Sequence, residues 1–80
     1  MDLRAAMDVA RPLDKLPPPE RRKAIRIAAG VTVEAAAEAM GVDRARLELW
    51  EIRVSPRVGA SYRYRKLLAV LEARGRESAR

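Results

Sequence analysis

Arginine is the side chain with the most evident chemistry in this sequence. Fourteen of the 17 basic residues are arginines, and four of them lie in the short stretch from Arg44 to Arg57. A guanidinium group forms two parallel hydrogen bonds to a phosphate or to a guanine edge, which a lysine ammonium does less well. The clustering favours contact with nucleic acid, although a preference for arginine can equally reflect a GC-rich genome.

The positive charge is concentrated in the second half of the chain. The formal net charge is +6. Residues 1–43 carry seven basic and seven acidic side chains, whereas residues 44–80 carry ten basic and four acidic ones, so the whole excess lies in the second half. Such a surface attracts polyanions, with nucleic acid as the first candidate and an anionic membrane surface as the second.

The residue types that the chain lacks exclude several kinds of chemistry. It has no cysteine and no histidine, which excludes disulfides, thiolate or imidazole metal sites and His-dependent triads. Its acidic residues are scattered, so we expect no enzyme, no metal, no cofactor and no small-molecule ligand. No apolar run approaches a membrane span, and the N-terminus lacks the apolar region of a signal peptide. These features predict a cytoplasmic protein without membrane contact, and its expected attraction to nucleic acid predicts association with the nucleoid.

The spacing of apolar residues predicts a small all-α domain of four or five helices over residues 17–74. The helices are expected at about 19–29, 32–40, 43–51 and 61–73, each followed by a glycine or a turn. In the first of them Ile25, Ala28 and Ala29 share one face. The last has a stripe of four large side chains, Tyr64, Leu67, Leu68 and Leu71. We expect Gly75 to end that helix and residues 75–80 to form a flexible tail.

An additional helix is predicted before this domain, within residues 1–16. Its apolar stripe consists of Leu3, Ala6, Met7 and Ala10, and Pro12 should end it. A linker rich in proline follows. Because so short a helix is marginal alone, its stripe must pack either on its own domain or on a second subunit.

Two short helices joined by a glycine turn form the central pattern, a helix-turn-helix over residues 32–51. Thr32 and Asp43 are suited to cap the two helices. Gly41 can adopt the left-handed conformation that the turn requires. Leu47 and Trp50 provide buried anchors for the second helix.

The stretch from Arg26 to Glu51 resembles the Cro and lambdoid-repressor (XRE) helix-turn-helix family. The matching positions are Arg26, Gly30, Val31, Thr32, Glu34, Ala37, Gly41, Val42, Leu47, Trp50 and Glu51. The resemblance covers roughly residues 20–72. It implies a lambda-repressor-like fold and a sequence-specific DNA-binding regulator, usually dimeric on a palindromic operator, whose helix 43–51 enters the major groove.

Two positions and one loop depart from the family pattern. Val33 stands where the family usually has a glutamine that touches phosphate, and Arg53 stands where it usually has glycine. The loop before Pro56 is also about one residue shorter. These differences weigh against the usual phosphate contact at the start of helix 32–40 but leave the core signature intact.

The face of helix 43–51 opposite its anchors is the candidate base-reading surface. Arg44 suits a guanine edge, Ala45 and Leu49 offer apolar contact to a thymine methyl group, and Glu48 can accept from cytosine N4. The resemblance places the family's base-reading positions on Arg44, Ala45 and Leu49. The alternative is an ordinary solvated face with an Arg44–Glu48 pair. Leu49 discriminates best, because it must either read bases or pack against another subunit.

Candidate phosphate contacts flank this surface. They are Thr32, Arg46, Arg53 and Arg57, which would position the protein without reading sequence. Three further cations, Arg63, Arg65 and Lys66, either extend the basic stripe or belong to a solvated helix face.

The resemblance also implies a structural ion pair between Arg26 and Glu51, linking the first helix of the family domain to the end of the third. Such a pair would fix the angle of the recognition helix. Removing one partner would leave a buried charge without a counter-ion and cost several kcal/mol.

The leading functional hypothesis is a Cro-like repressor, from a phage or mobile element, that binds double-stranded operator DNA as a homodimer. The alternative is a protein-interaction module on the same fold, such as an antitoxin or an RNA-polymerase-binding factor. Val33 and the hydrophobic edge from Leu49 to Ile52 favour this alternative slightly. Salt-dependent DNA binding against salt-insensitive protein binding distinguishes the two.

Overall fold

The computed structural model describes residues 2–79, which form five α-helices and no strand. The helices are α1 (Leu3–Val9), α2 (Pro19–Ala28), α3 (Val33–Met40), α4 (Arg44–Ile52) and α5 (Val58–Ser78). The all-α prediction is confirmed, and α3 and α4 form the helix-turn-helix. Met1 and Arg80, which the predicted segments 1–16 and 75–80 include, lie outside the described residues. Across residues 2–79, no helix is both long enough and apolar enough to cross a membrane.

The helix-turn-helix is defined by its caps and its turn. The Thr32 hydroxyl oxygen accepts from the Ala35 N–H at 3.1 Å, and an Asp43 carboxylate oxygen accepts from the Arg46 N–H at 2.8 Å. Gly41 has a φ of +72° and ends α3 in the left-handed conformation. Both predicted caps and the predicted glycine turn are therefore present, because each supplies what the helix ends require.

Helix α5 is the centre of the core. Its predicted stripe of Tyr64, Leu67, Leu68 and Leu71 is buried, and the helix packs against α1, α2 and α3. From α4, Leu47 and Trp50 enter the same core. The rings of Trp50 and Tyr64 lie with their centroids 5.0 Å apart. The two predicted anchors thus fix α4 to the domain on one face only.

The predicted limits of the last helix are wrong at both ends. Helix α5 begins at Val58, not at 61, and continues through Gly75 to Ser78. At Gly75 the helix runs so close to α2 that an added Cβ would lie 3.4 Å from the Ala28 Cβ. Gly75 therefore permits close helix packing inside α5, and the residues up to Ser78 are helical where a flexible tail was expected.

Helix α1 packs on its own domain, which decides between the two arrangements expected for it. Met7 is buried, and the Arg4 side chain donates to the Glu38 carbonyl at 2.9 Å. The helix ends at Val9, before Pro12. In the linker, the Leu13 N–H donates to the Arg65 carbonyl at 3.2 Å, and the Arg65 guanidinium donates to the Leu13 carbonyl at 3.0 Å. Arg65 thus fastens the linker to α5.

The buried face of α2 differs from the predicted one. Ile25 is buried and Ala29 is partly buried, as expected, but Ala28 is exposed. The rest of the buried face consists of two arginines, Arg22 and Arg26. The apolar pattern missed them because charged side chains are seldom buried unless they are paired or hydrogen-bonded.

Candidate nucleic-acid interface

The four predicted base-reading side chains share the solvent side of α4. Arg44, Ala45 and Leu49 are exposed and Glu48 is partly exposed, while Leu47 and Trp50 are buried on the opposite side. Leu49 remains 43% exposed, so its own domain covers it only in part. An apolar residue in this position is available to a partner, whether a base methyl group or another protein surface.

Arg44 is held by two carboxylates from two helices. Its Nε donates to Glu48 Oε1 at 2.6 Å, and its Nη1 donates to Glu34 Oε1 at 2.5 Å. The side chains remain partly exposed, at 61% for Arg44, 44% for Glu48 and 59% for Glu34. The hydrogen bond that Arg44 donates to Glu48, and then the negative charge of Glu34, raise the pKa of Arg44 above its ordinary value. This side chain is therefore positively charged at every pH of interest.

Glu34 is the member of this group that the sequence did not identify. The Arg44–Glu48 contact is the i, i+4 pair expected along one helix. Glu34, by contrast, lies in the first turn of α3, and only the folding of the turn at Gly41 brings it beside Arg44.

The candidate phosphate-binding residues lie at helix ends. Arg46 is in the first turn of α4, Arg53 is the C-cap of α4, and Arg57 is the N-cap of α5. All three are exposed, and within residues 2–79 none of them forms an ion pair. The Thr32 oxygen accepts in the cap of α3, which leaves its hydroxyl hydrogen able to donate to a phosphate oxygen.

Arg53 occupies its position without backbone strain. Its φ is −159°, outside the left-handed region that favours glycine. Its N–H donates to the Leu49 carbonyl at 3.1 Å and closes the end of α4. The chain therefore tolerates a large cationic side chain at the C-cap of α4.

A buried ion pair joins α2 to the end of α4. Arg26 Nε donates to Glu51 Oε2 at 2.6 Å and Arg26 Nη2 donates to Glu51 Oε1 at 3.0 Å. The two side chains are only 11% and 5% exposed. Arg26 Nη1 also donates to the Val31 carbonyl at 2.9 Å, next to the start of α3. One guanidinium thus connects α2, α4 and the turn that leads into α3.

Arg22 is a second buried arginine at the same junction, and sequence reasoning missed it. Its Nε donates to the Pro17 carbonyl at 2.6 Å, and its Nη1 donates to the Trp50 and Val54 carbonyls at 2.8 and 3.4 Å. Its Nη2 donates to Ser55 Oγ at 3.2 Å. None of these acceptors is charged. Three of them, on Trp50, Val54 and Ser55, lie at or just after the C-terminal end of α4, where the helix dipole and the unpaired carbonyls favour a cation.

Several apolar side chains lie exposed between α4 and α5. Besides Leu49, they are Ile52, Val54 and Val58. A shallow groove beside α4 is lined by Ala45, Leu49, Trp50 and Val54, together with Asp43 and Arg46. Leu49 and Val54 share this groove, and an apolar groove of this kind suits contact with a partner.

Comparisons of the chain with protein-family models, with curated proteins and with solved structures found no match. The interface is therefore interpreted from its own geometry. It consists of a helix anchored on one face, with polar and apolar side chains on its outer face. Arginines that form no ion pair with any of the described residues lie at or near its ends.

Proposed function

We propose that this protein is a sequence-specific DNA-binding regulator of the Cro type, acting in the cytoplasm on the nucleoid, with α4 inserted into the major groove. The proposal rests on the way in which α4 is held against the rest of the domain with its outer face exposed. Leu47 and Trp50 anchor one face, and Arg22 and Arg26 hold the C-terminal end. A rigidly held helix can place its outer side chains accurately against base edges, which sequence reading requires.

The outer face of α4 offers a donor, an acceptor and apolar groups to base edges. The Arg44 guanidinium suits guanine O6 and N7, and the Glu48 carboxylate can accept from cytosine N4. Ala45 and Leu49 suit the thymine methyl group. With these groups on one exposed face, α4 can discriminate among base pairs.

Contacts to the DNA backbone would come from Arg46, Arg53, Arg57 and Thr32. Each arginine that neutralises a phosphate adds about 0.9 to the slope of log affinity against log salt. Three such contacts would give a slope of about −3 from this set alone. These contacts set affinity and register, whereas the outer face of α4 sets specificity.

We expect the protein to bind DNA as a homodimer, because one copy recognises too short a site. One helix covers only a few base pairs, and two copies can read half-sites about one DNA turn apart. The exposed apolar residues outside the base-reading set, Ile52, Val54 and Val58, support a contact between copies. Light scattering at high micromolar concentration, with and without DNA, tests this part of the proposal. A monomer under both conditions would refute dimerisation.

The main test is selection from a randomised DNA library at about physiological salt, repeated with Arg44→Ala. We expect a palindromic consensus in which the substitution weakens binding by about 1–3 kcal/mol and relaxes one guanine position. Arg11→Ala is the matched control, because Arg11 is an exposed arginine outside the interface. It should leave the consensus unchanged. Weak binding without an enriched motif, disappearing as salt rises, would refute the proposal.

The second candidate function is a protein-interaction module. The exposed Leu49, Ile52, Val54 and Val58 favour it, because an apolar surface of this kind also suits a protein partner. Binding to a protein that persists at high salt, without sequence-selective DNA binding, would identify this function.

A further inference from the structure

The acidic residues around Arg44 change the electrostatics of the place where DNA would be read. Arg44 contributes one positive charge, while Glu34 and Glu48 contribute two negative charges at 2.5 and 2.6 Å from it. Asp43, the N-cap of α4, adds another carboxylate at the adjacent position. Although the chain as a whole is cationic, this part of the interface is locally anionic.

A phosphate and a base edge respond to such a site in opposite ways. A phosphate that approaches Arg44 must displace a carboxylate or accept repulsion from one. A base edge carries no net charge. In the major groove a G·C pair presents two acceptors on guanine and an amino donor on cytosine. The guanidinium and the carboxylates beside it together offer matching donors and acceptors.

Glu34 is the informative member because its position depends on the tertiary fold. Glu48 is on the same helix as Arg44, and their pair would form on any exposed helix. Glu34 reaches Arg44 from α3 and binds a different guanidinium nitrogen, Nη1. Because Nε and Nη1 donate hydrogen bonds to two different carboxylates, the orientation of the guanidinium is restrained.

We propose that Glu34 is a specificity-determining residue, which with Glu48 keeps Arg44 from binding phosphates and directs its guanidinium to a G·C base pair. This inference rests on the proposed function. The role of Glu34 is to weaken binding to unselected DNA, so its removal should increase affinity for the wrong sequences.

The experiment compares Glu34→Gln with wild type on the selected site and on a scrambled duplex, over a range of salt concentrations. Glu38→Gln is the matched control. Glu38 lies one turn further along α3, is exposed, and forms no ion pair with a described residue, so its substitution changes net charge equally. We expect Glu34→Gln to bind the scrambled duplex about 1.4- to five-fold more tightly, the range for an exposed charge pair. Its salt slope on that duplex should steepen by up to about 0.9, as Arg44 gains a phosphate.

Affinity for the selected site should stay the same or fall, so the ratio of specific to non-specific binding decreases. Equal changes on both duplexes, or an effect no larger than that of Glu38→Gln, would overturn this inference and leave the proposed function standing. A wild-type protein that selects no motif would overturn the proposed function, and the inference with it.

Discussion

The buried pair between Arg26 and Glu51 provides the strongest prediction about the fold that supports the interface. Replacing Arg26 with methionine leaves the Glu51 carboxylate, 5% exposed, without its counter-ion. It also removes the donor to the Val31 carbonyl. Loss of one partner of a buried pair costs about 3–5 kcal/mol. An 80-residue domain has a total stability of about 4–12 kcal/mol, so this loss is a large fraction of it.

The size of the effect predicts a fall in Tm of about 12 °C or more, at about 4–8 °C per kcal/mol for a domain of this size. Urea unfolding followed by Trp50 fluorescence measures the free energy directly. Trp50 is the only tryptophan and is buried against Tyr64.

Two companion variants keep the reasoning testable if Arg26→Met does not fold. Glu51→Gln preserves the shape and an acceptor, leaving Arg26 with neutral acceptors only. Arg22 is already buried with neutral acceptors only, and it is 3% exposed. We therefore expect Glu51→Gln to cost less, about 1–3 kcal/mol. The double variant Arg26→Met/Glu51→Met should recover at least half of the Arg26→Met loss, because it leaves no buried charge. An Arg26→Met protein within about 1 kcal/mol of wild type would refute the account.

Two further predictions concern alkaline stability and backbone conformation. Burial, and then the charge of Glu51, raise the pKa of Tyr64 above its ordinary value, so the folded state keeps this proton more tightly than the unfolded chain does. The resulting stability is fully present below about pH 10, the unfolded value, and decreases as pH rises above it. Urea unfolding across this range should show the decrease in wild type and a weaker one in Tyr64→Phe; equal slopes would contradict the assignment. Gly59 lies in α5 with open space around its Cβ position, so Gly59→Ala should stabilise by about 0.5–1 kcal/mol. Gly41 is left-handed, so Gly41→Ala should destabilise by about 1–2 kcal/mol, and shifts of the same sign in the urea midpoint would refute the backbone assignment.

Local signals predicted most of the fold. Thr32, Asp43 and Gly41 act within their own helix ends, so their roles follow from residue type and spacing. Gly75 could not be interpreted in that way. The same residue type ends helices and permits close helix packing, and only the position of α2 beside α5 decides between these roles. The start of α5 at Val58 was missed for a similar reason, since Gly59 resembled part of a loop.

The sequence predicted which residues share the exposed face of α4, but it did not predict the contacts that link them to other helices. The 100° rotation per residue places Arg44, Ala45 and Leu49 together, and the structure has them on one side of α4. The contact of Glu34 with Arg44 spans ten positions and depends on the turn between two helices. Arg22 was missed because its acceptors are backbone carbonyls, which every residue possesses and no pattern of side chains reveals.

The acceptors of Arg22 and Arg26 have a consequence for synthesis of the chain on the ribosome. Both side chains belong to α2, but the end of α4 and the loop after it, which supply most of their hydrogen-bond acceptors, are translated later. Helix α5, which covers α1 and α2, follows later still. Until then the two guanidinium groups keep their hydration, and the nascent α2 has no stable buried state. Native structure should therefore appear late and in one step, after the chain as far as α5 has left the exit tunnel.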